Sequence, residues 1–384
     1  MKTFLPLRVL TVSFAAIFLA LSAAHADDAP YQATGIRIGE VKSDSAIIWL
    51  RLTANAERVG EEGGMPEVLY LDPDTGIYSS KSGRPDAAPK VTFPEGRSID
   101  AIEGAVPGVS GKVRLHYRTT EENEWRTTDW QDVDPERDFT KQIRLDGLQS
   151  NTTYQLRAET ESGNVIEGRF QTAPRADQEQ RVLFTVSTGQ AYGDQDSPDG
   201  FSIYPSMLAL DPQFFVHTGD ILYYDRLAKT LPLARWHWQR MYSLPTYVDA
   251  DATFRGYAAL YVRTPIKCGV GIKIVDFHRQ VASYFIKDDH DTWMNDCWPT
   301  RDTQFMGEFT FDEGKDLFLE QVPMGDSTYR TVRWGKDIQV GSSRAATSDR
   351  PTPCLTGLIK RFGVKTRETG SSIPFKHPMR PSAS

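Results

Sequence analysis

The chain has 384 residues, with 44 basic against 51 acidic side chains and a formal net charge of -7. That length is enough for two ordinary domains, and a charged fraction of 25% with 11% aromatic residues argues against a disordered chain. The acidic balance makes a broad nucleic-acid-binding surface untenable, because phosphate neutralisation needs clustered Lys and Arg.

At the N-terminus, Lys2 and Arg8 flank the start of an apolar run from Val9 to Leu21, and Ala24-His25-Ala26 has the small-x-small form of a cleavage site. Residues 1–26 read as a secretory signal peptide. The run is too short for a membrane anchor. Removing it leaves 42 basic against 51 acidic groups, so the expected product is an acidic periplasmic or secreted protein.

Residues 31–174 read as an antiparallel β-domain. Short apolar segments at 36–41 and 46–51 flank a Lys-Ser-Asp-Ser turn, and 113–118 alternates as a half-buried strand does. Leu145, Leu148, Thr152 and Tyr154, followed by strands at 154–158 and 168–172, resemble the last strands of a fibronectin type III sandwich. The insert at 54–111 is polar and rich in Gly and Pro, with no placement from pattern alone. Ala173–Asp177 is the expected boundary.

Beyond it the pattern changes. Val182–Val186 and Phe214–Thr218 are continuous apolar runs of the buried, parallel-sheet kind. A helix is expected at 202–210, helix-rich sequence from Leu233, and a third run at 284–286. Strand, helix, strand predicts an α/β domain over 180–340. Trp236, Trp238 and Tyr242 have helical spacing and read as core, and His217 inside its apolar strand reads as a core histidine. Cys268, Cys297 and Cys354 form an odd set; an oxidising compartment permits a Cys268–Cys297 disulfide without requiring it.

Residues 341–384 differ in composition: eight Lys/Arg, two Asp/Glu, twelve Ser/Thr and five Pro. One reading is a disordered basic tail. The other is out-of-frame translation. Restoring one base after Val340 permits a shifted frame that continues as an apolar strand, so the α/β domain is expected to be only the N-terminal part of a whole one. Resequencing around codon 340 tests that expectation.

The residues just after each apolar run carry the chemistry. The first run opens into Ser187-Thr188-Gly189-Gln190, the second into Gly219-Asp220-Ile221-Leu222-Tyr223-Tyr224-Asp225, and the third into Asp288-Asp289-His290-Asp291 with Asn295 close behind. Carboxyl ends of strands line the site in open α/β sheets. Oxygen-rich ligands with an imidazole suit Ca²⁺, Mg²⁺, Mn²⁺ or Fe rather than a thiolate zinc centre. Such ions polarise phosphate and activate water, and Asp220 is the carboxylate placed to bridge them. The plainer alternative is a Gly-Asp turn and a solvated acidic loop.

These two motifs, in order and after a β-domain with an export signal, resemble the PhoD-type alkaline phosphatases of the calcineurin-like metallophosphoesterase superfamily. The resemblance spans roughly Tyr31 to Val340. It implies hydrolysis of phosphate mono- or diesters outside the cytoplasm at alkaline pH, with Ca²⁺ and often Fe³⁺. It also implies Asp220 as bridging ligand, Tyr223 as ligand to an iron-like metal, and Asp289 where the superfamily has an Asn ligand. His290 would contact the phosphate or protonate the leaving group. Gln190, Asp291 and Asn295 are weaker candidates for substrate contact or support. The family's Ser-Cys-Gln is here Ser187-Thr188-Gly189-Gln190, which leaves iron without its usual cysteine. The segment 247–274 looks like an insertion, and no histidine lies between His290 and Val340. The rival reading is a non-catalytic exported protein whose β-sandwich engages a glycan or a protein.

Overall fold

The computed structural model describes residues 29–72, 74–80, 87–196, 200–244 and 274–342, with the backbone of two further short strands at 363–365 and 372–373. The expected signal peptide at 1–26, the segment 247–274 read as an insertion apart from its last residue, Cys268, and most of the segment after Val340 lie outside the described residues. No described helix is long and apolar enough to cross a membrane.

In chain order the strands are β1 (Ile36–Gly39), β2 (Ser45–Arg51), β3 (Glu67–Leu71), β4 (Tyr78–Ser79), β5 (Pro89–Thr92), β6 (Lys112–Thr119), β7 (Arg126–Thr127), β8 (Gln131–Asp132) and β9 (Thr140–Asp146). They continue as β10 (Thr153–Thr160), β11 (Val165–Gln171), β12 (Phe184–Ser187), β13 (Phe214–His217), β14 (Ala282–Phe285), β15 (Arg330–Trp334), β16 (Ile338–Ser342), β17 (Gly363–Lys365) and β18 (Ser372–Ile373). Among the described residues the helices are α1 (Ile203–Leu208), α2 (Leu231–Tyr242), α3 (Ile274–His278) and α4 (Phe311–Gln321).

The β-domain and the α/β region share one sheet. Its order is β12-β13-β14-β1-β2-β9, parallel from β12 through β1 and antiparallel from there to β9. Gly39 registers with Ser283 at the junction. A second sheet, β11-β10-β6-β7 with β8 also on β6, faces the first to form the sandwich. Tyr154 supports the sandwich as expected of a tyrosine corner: its hydroxyl accepts from Gln149 N–H at 2.8 Å.

Alternation along β13 explains why Phe214, Phe215 and Val216 are apolar in succession. Phe214 and Val216 point into the sandwich core, which includes Ile36, Ile48, Leu115, Leu156, Tyr284 and Trp334. Phe215 and Phe285 point the other way, into a core with Tyr204, Trp238, Tyr242, Phe277 and Phe318 from the helices. Both faces are covered, so both sets of alternate residues are buried. The run at 182–186 departs from this expectation. β12 is the edge strand, and Leu183 and Val186 are 41% and 38% exposed.

On the helix side of β1, buried Arg37 closes the packing. Its guanidinium lies 3.9 Å from the Trp49 ring and 3.6 Å from the Tyr242 ring, and Nη1 donates to Gln321 O at 2.6 Å. The Gly/Pro-rich insert is ordered in part. It builds a small sheet, β4-β3-β5, and packs Ile102 and Ala105 against Leu233 and Trp236 of α2. His217 is buried, with Gly219 N–H donating to its Nδ1 at 3.3 Å, and Trp236, Trp238 and Tyr242 are core. β15 and β16 pair around the Gly335 turn, and β16 runs two residues past Val340.

Candidate metal centre

Three parallel strands end at one edge, and the loops after them are stitched together through backbone. Gly189 N–H donates to Gly219 O at 3.2 Å, Gln190 N–H to Asp220 O at 2.7 Å, and Tyr224 N–H to His290 O at 3.2 Å. Gly219 and Asp220 have positive φ, 104° and 54°. A Cβ on Gly219 would stand 2.7 Å from Cβ of Asp288, so glycine is what lets the two acidic loops approach. Gly219→Ala is therefore expected to lower divalent-metal affinity at least about tenfold with the far-ultraviolet circular dichroism retained, as calorimetric titration would show.

Asp220, Asp288 and Asp289 each offer a carboxylate oxygen, and these atoms lie within 4.8 Å of one another. All three side chains are half-buried. Like charges at that spacing repel, and the repulsion is relieved by a hard cation with oxygen ligands. The Asp289 carboxylate is fixed by its own loop, accepting from His290 N–H at 2.9 Å and Asp296 N–H at 2.6 Å.

Asp291 is wholly buried and does a different job. Its Oδ1 accepts from Asp288 N–H at 2.5 Å and its Oδ2 from Ile221 N–H at 3.2 Å, so it staples one acidic loop to the other. Burial, then the charges of Asp220 and Asp288, push its carboxyl well above the usual range. Lys287 lies buried behind the loop and donates to Thr292 Oγ1 at 3.1 Å. Burial lowers its pKa, while Asp291, Cys297, Asp288 and Asp289 oppose that shift.

His290 stands at the rim with its ring 4.4 Å from that of Tyr223 and its Nδ1 3.2 Å from Asp225 Oδ2. Burial disfavours its charge. The close contact with Asp225 and the charges of Asp225, Asp289 and Asp220 outweigh that, and in the metal-free chain its pKa is raised to about 9. The Tyr223 hydroxyl donates to Asp220 Oδ2 at 3.4 Å. Burial first, and Asp220 second, raise the phenol above its ordinary value.

Two of the weaker candidates lie apart from this group. Gln190 is buried and its Oε1 accepts from the Tyr204 hydroxyl at 2.5 Å, which turns the side chain into the helix-side core. Asn295 is exposed and donates to Asp296 Oδ2 at 3.0 Å. Conversely, Asp288 and Asp225 are brought into the site although the motifs alone give them no role. Adjacency to Asp289 at a strand end is the signal for Asp288. Asp225 has none in spacing, because a short 3₁₀ turn at 224–226 carries it back to His290. Residues 187–190 contain no cysteine, and the Thr188 hydroxyl donates to Gly219 O at 3.3 Å. Cys297 is a free, buried thiol that burial pushes up to about 12, so it is not offered as a thiolate. The donor set is one of oxygens.

A sheet whose parallel strands end in converging carboxylates, continuous with a β-sandwich, defines a two-part protein with a candidate metal centre at the strand ends. The family model described as "PhoD-like phosphatase, N-terminal domain" matches residues 19–174, and "PhoD-like phosphatase" matches 184–362. The chain belongs to the PhoD-like phosphatase family. The second match runs past Val340 into the basic segment.

Among solved structures, that of PhoD is 14% identical with a TM-score of 0.54, over 83% of this chain and 53% of its own. This chain thus spans about half the length of that protein. The purple acid phosphatase PPD1 from yellow lupin (Lupinus luteus) seeds is 11% identical with a TM-score of 0.39, over 78% of this chain and 42% of its own. The third fibronectin III domain of human KIAA0343 protein is 14% identical with a TM-score of 0.17, over 42% of this chain and 96% of its own. No curated protein matches.

Proposed function

We propose that the chain is an exported phosphoesterase, hydrolysing phosphate mono- or diesters with a divalent metal, Ca²⁺ foremost. The observation that carries this reading is the convergence of Asp220, Asp288 and Asp289 beside an Asp225-held His290, in a chain of the PhoD-like phosphatase family.

Asp220, Asp289 and Asp288 would hold the cation, with Tyr223 adjoining through Asp220. When bound, the cation supplies Lewis acidity, neutralising charge on the phosphate and acidifying water. The residues supply the rest. Asp225 engages Nδ1 of His290, which leaves Nε2 to hold the proton for a departing alkoxide. In the metal-free chain the His290 pKa is raised to about 9; a bound cation would offset the part owed to Asp289 and Asp220, which leaves Asp225 as the partner that holds the proton. Asp291 does not face the substrate in this scheme; it sets the distance between the acidic loops. With no cysteine in 187–190, Ca²⁺ is favoured over Fe³⁺.

The test is hydrolysis of p-nitrophenyl phosphate and bis(p-nitrophenyl) phosphate at about pH 9, in the alkaline range that the family resemblance implies. Turnover that needs Ca²⁺, stops with a chelator and returns on adding metal supports the proposal, and the ratio of the two rates names monoester or diester. Absence of turnover with Ca²⁺, Mn²⁺, Mg²⁺ and Fe³⁺ would reject it. Metal-independent retention on cell-wall material without hydrolysis would favour the binding-protein reading instead.

A further inference from the structure

The outer sheet of the sandwich carries an open pocket of about 330 Å³, bordered by β6, β10, β11 and the turn between α3 and β14. Four arginines line it: Arg118, Arg157, Arg169 and Arg279. It is remote from the acidic centre, since Arg279 and Gln280 precede β14 while the carboxylates come after that strand. In a chain with a net charge of -7, this concentration of guanidinium groups is a local exception.

The wall is built rather than incidental. Arg169 N–H donates to Arg279 O at 2.8 Å, and Arg279 Nη1 donates to Glu167 O at 2.9 Å. A Cβ on Gly168 would lie 2.6 Å from Arg279 O, so the turn can close on β11 only over glycine. The guanidinium carbons of Arg118 and Arg157 both lie 4.5 Å from the Trp125 ring, which pins two cations on one aromatic group.

Acidic neighbours hold three of these arginines by part of their donor forks. Arg157 Nε meets Glu167 at 3.0 Å, Arg169 Nη2 meets Asp211 at 2.8 Å and Arg279 Nε meets Asp276 at 2.8 Å. Arg118 is different. Its hydrogen bonds go to neutral acceptors, Gln155 Oε1 at 2.9 Å and Asn123 O at 2.9 Å, so no carboxylate is bonded to its charge among the described residues. A guanidinium has five N–H donors in a plane, a shape that pairs with planar or tetrahedral oxyanions.

We propose that this pocket is an oxyanion-binding site, separate from the metal centre, that takes a phosphate, sulfate or carboxylate group with Arg118 as its principal cation. Gln155 and Gln280 supply amides at its wall for neighbouring hydroxyls of a larger ligand.

The experiment is calorimetric titration of the full chain with inorganic phosphate, sulfate and galacturonate at low ionic strength, with a chelator present so that the metal centre takes no part. Saturable binding is expected, weakening as NaCl is added. Arg118→Gln should weaken it at least about tenfold, from the loss of charge-assisted hydrogen bonds. Arg169→Gln serves as a second variant where Arg118→Gln fails to fold by circular dichroism. Tighter binding of galacturonate than of phosphate assigns a carboxylated sugar, and the reverse assigns a phosphate group. No saturable binding of any of the three, or binding unchanged in the folded variant, would overturn the proposal.

Discussion

Asp220→Asn is expected to cut Ca²⁺-dependent hydrolysis of p-nitrophenyl phosphate by at least about 100-fold, because it removes the charge at the centre of the carboxylate group. Asparagine is the informative replacement. It keeps the side-chain shape and tolerates the left-handed backbone that Asp220 adopts at φ 54°. Alanine would add backbone strain to the loss of charge. The metal-free variant should melt at the same temperature as the parent or higher, since one of three mutually repelling carboxylates is gone. A fall in both activity and metal-free stability would make Asp220 a structural turn residue, and the proposed ligand role would fail.

The largest effect on stability is expected at the junction of sandwich and α/β region. Phe214 is fully buried, stacks on Phe184 with centroids 4.9 Å apart, and meets Trp334 at 4.7 Å and Tyr284 at 5.5 Å. Phe214→Ala should cost about 3–5 kcal/mol, the range for deleting a large aromatic ring from a packed core. Urea unfolding monitored by tryptophan fluorescence would report it. If the sandwich and the α/β region unfolded independently, the variant would shift only one of two transitions. The shared sheet, and a sandwich core that takes in Phe214, Val216 and Tyr284 from the α/β strands, predict that one cooperative transition shifts as a whole.

The strands of both regions were legible because their apolar pattern follows from which faces are covered. Residues 113–118 alternate because one face of β6 meets the core and the other meets solvent, whereas 214–216 are apolar without alternation because β13 is covered on both sides. The run at 182–186 is the exception. Composition marks it as apolar, but not that its strand ends the sheet. Nothing in spacing announces the pairing of Gly39 with Ser283, which depends on two segments far apart in sequence. α4 has its signal, Thr310 and Glu313 in a reciprocal capping box, yet Gly314 within it breaks the expected propensity.

At the site, strand-end carboxylates were legible and their division of labour was not. Asp288, Asp289 and Asp291 look equivalent in sequence. Only the fold separates the two that converge with Asp220 from the one that is buried and bonded to the backbone of Ile221 and Asp288. Gln190 was misleading for a related reason: it comes just after a strand end, but the hydroxyl of Tyr204 claims its side chain. Asp225 is the reverse case, a residue in the motif whose contact with His290 depends on a turn.

The strand-end carboxylates are held to bind a divalent cation, and on that binding the proposed chemistry depends. Isothermal titration of Ca²⁺ into the metal-stripped chain and into Asp220→Asn and Asp289→Asn tests it most directly. Saturable binding by the parent that is lost in both variants is the predicted result. Equal binding in all three, or none by the parent with Ca²⁺, Mg²⁺ or Mn²⁺, would contradict it.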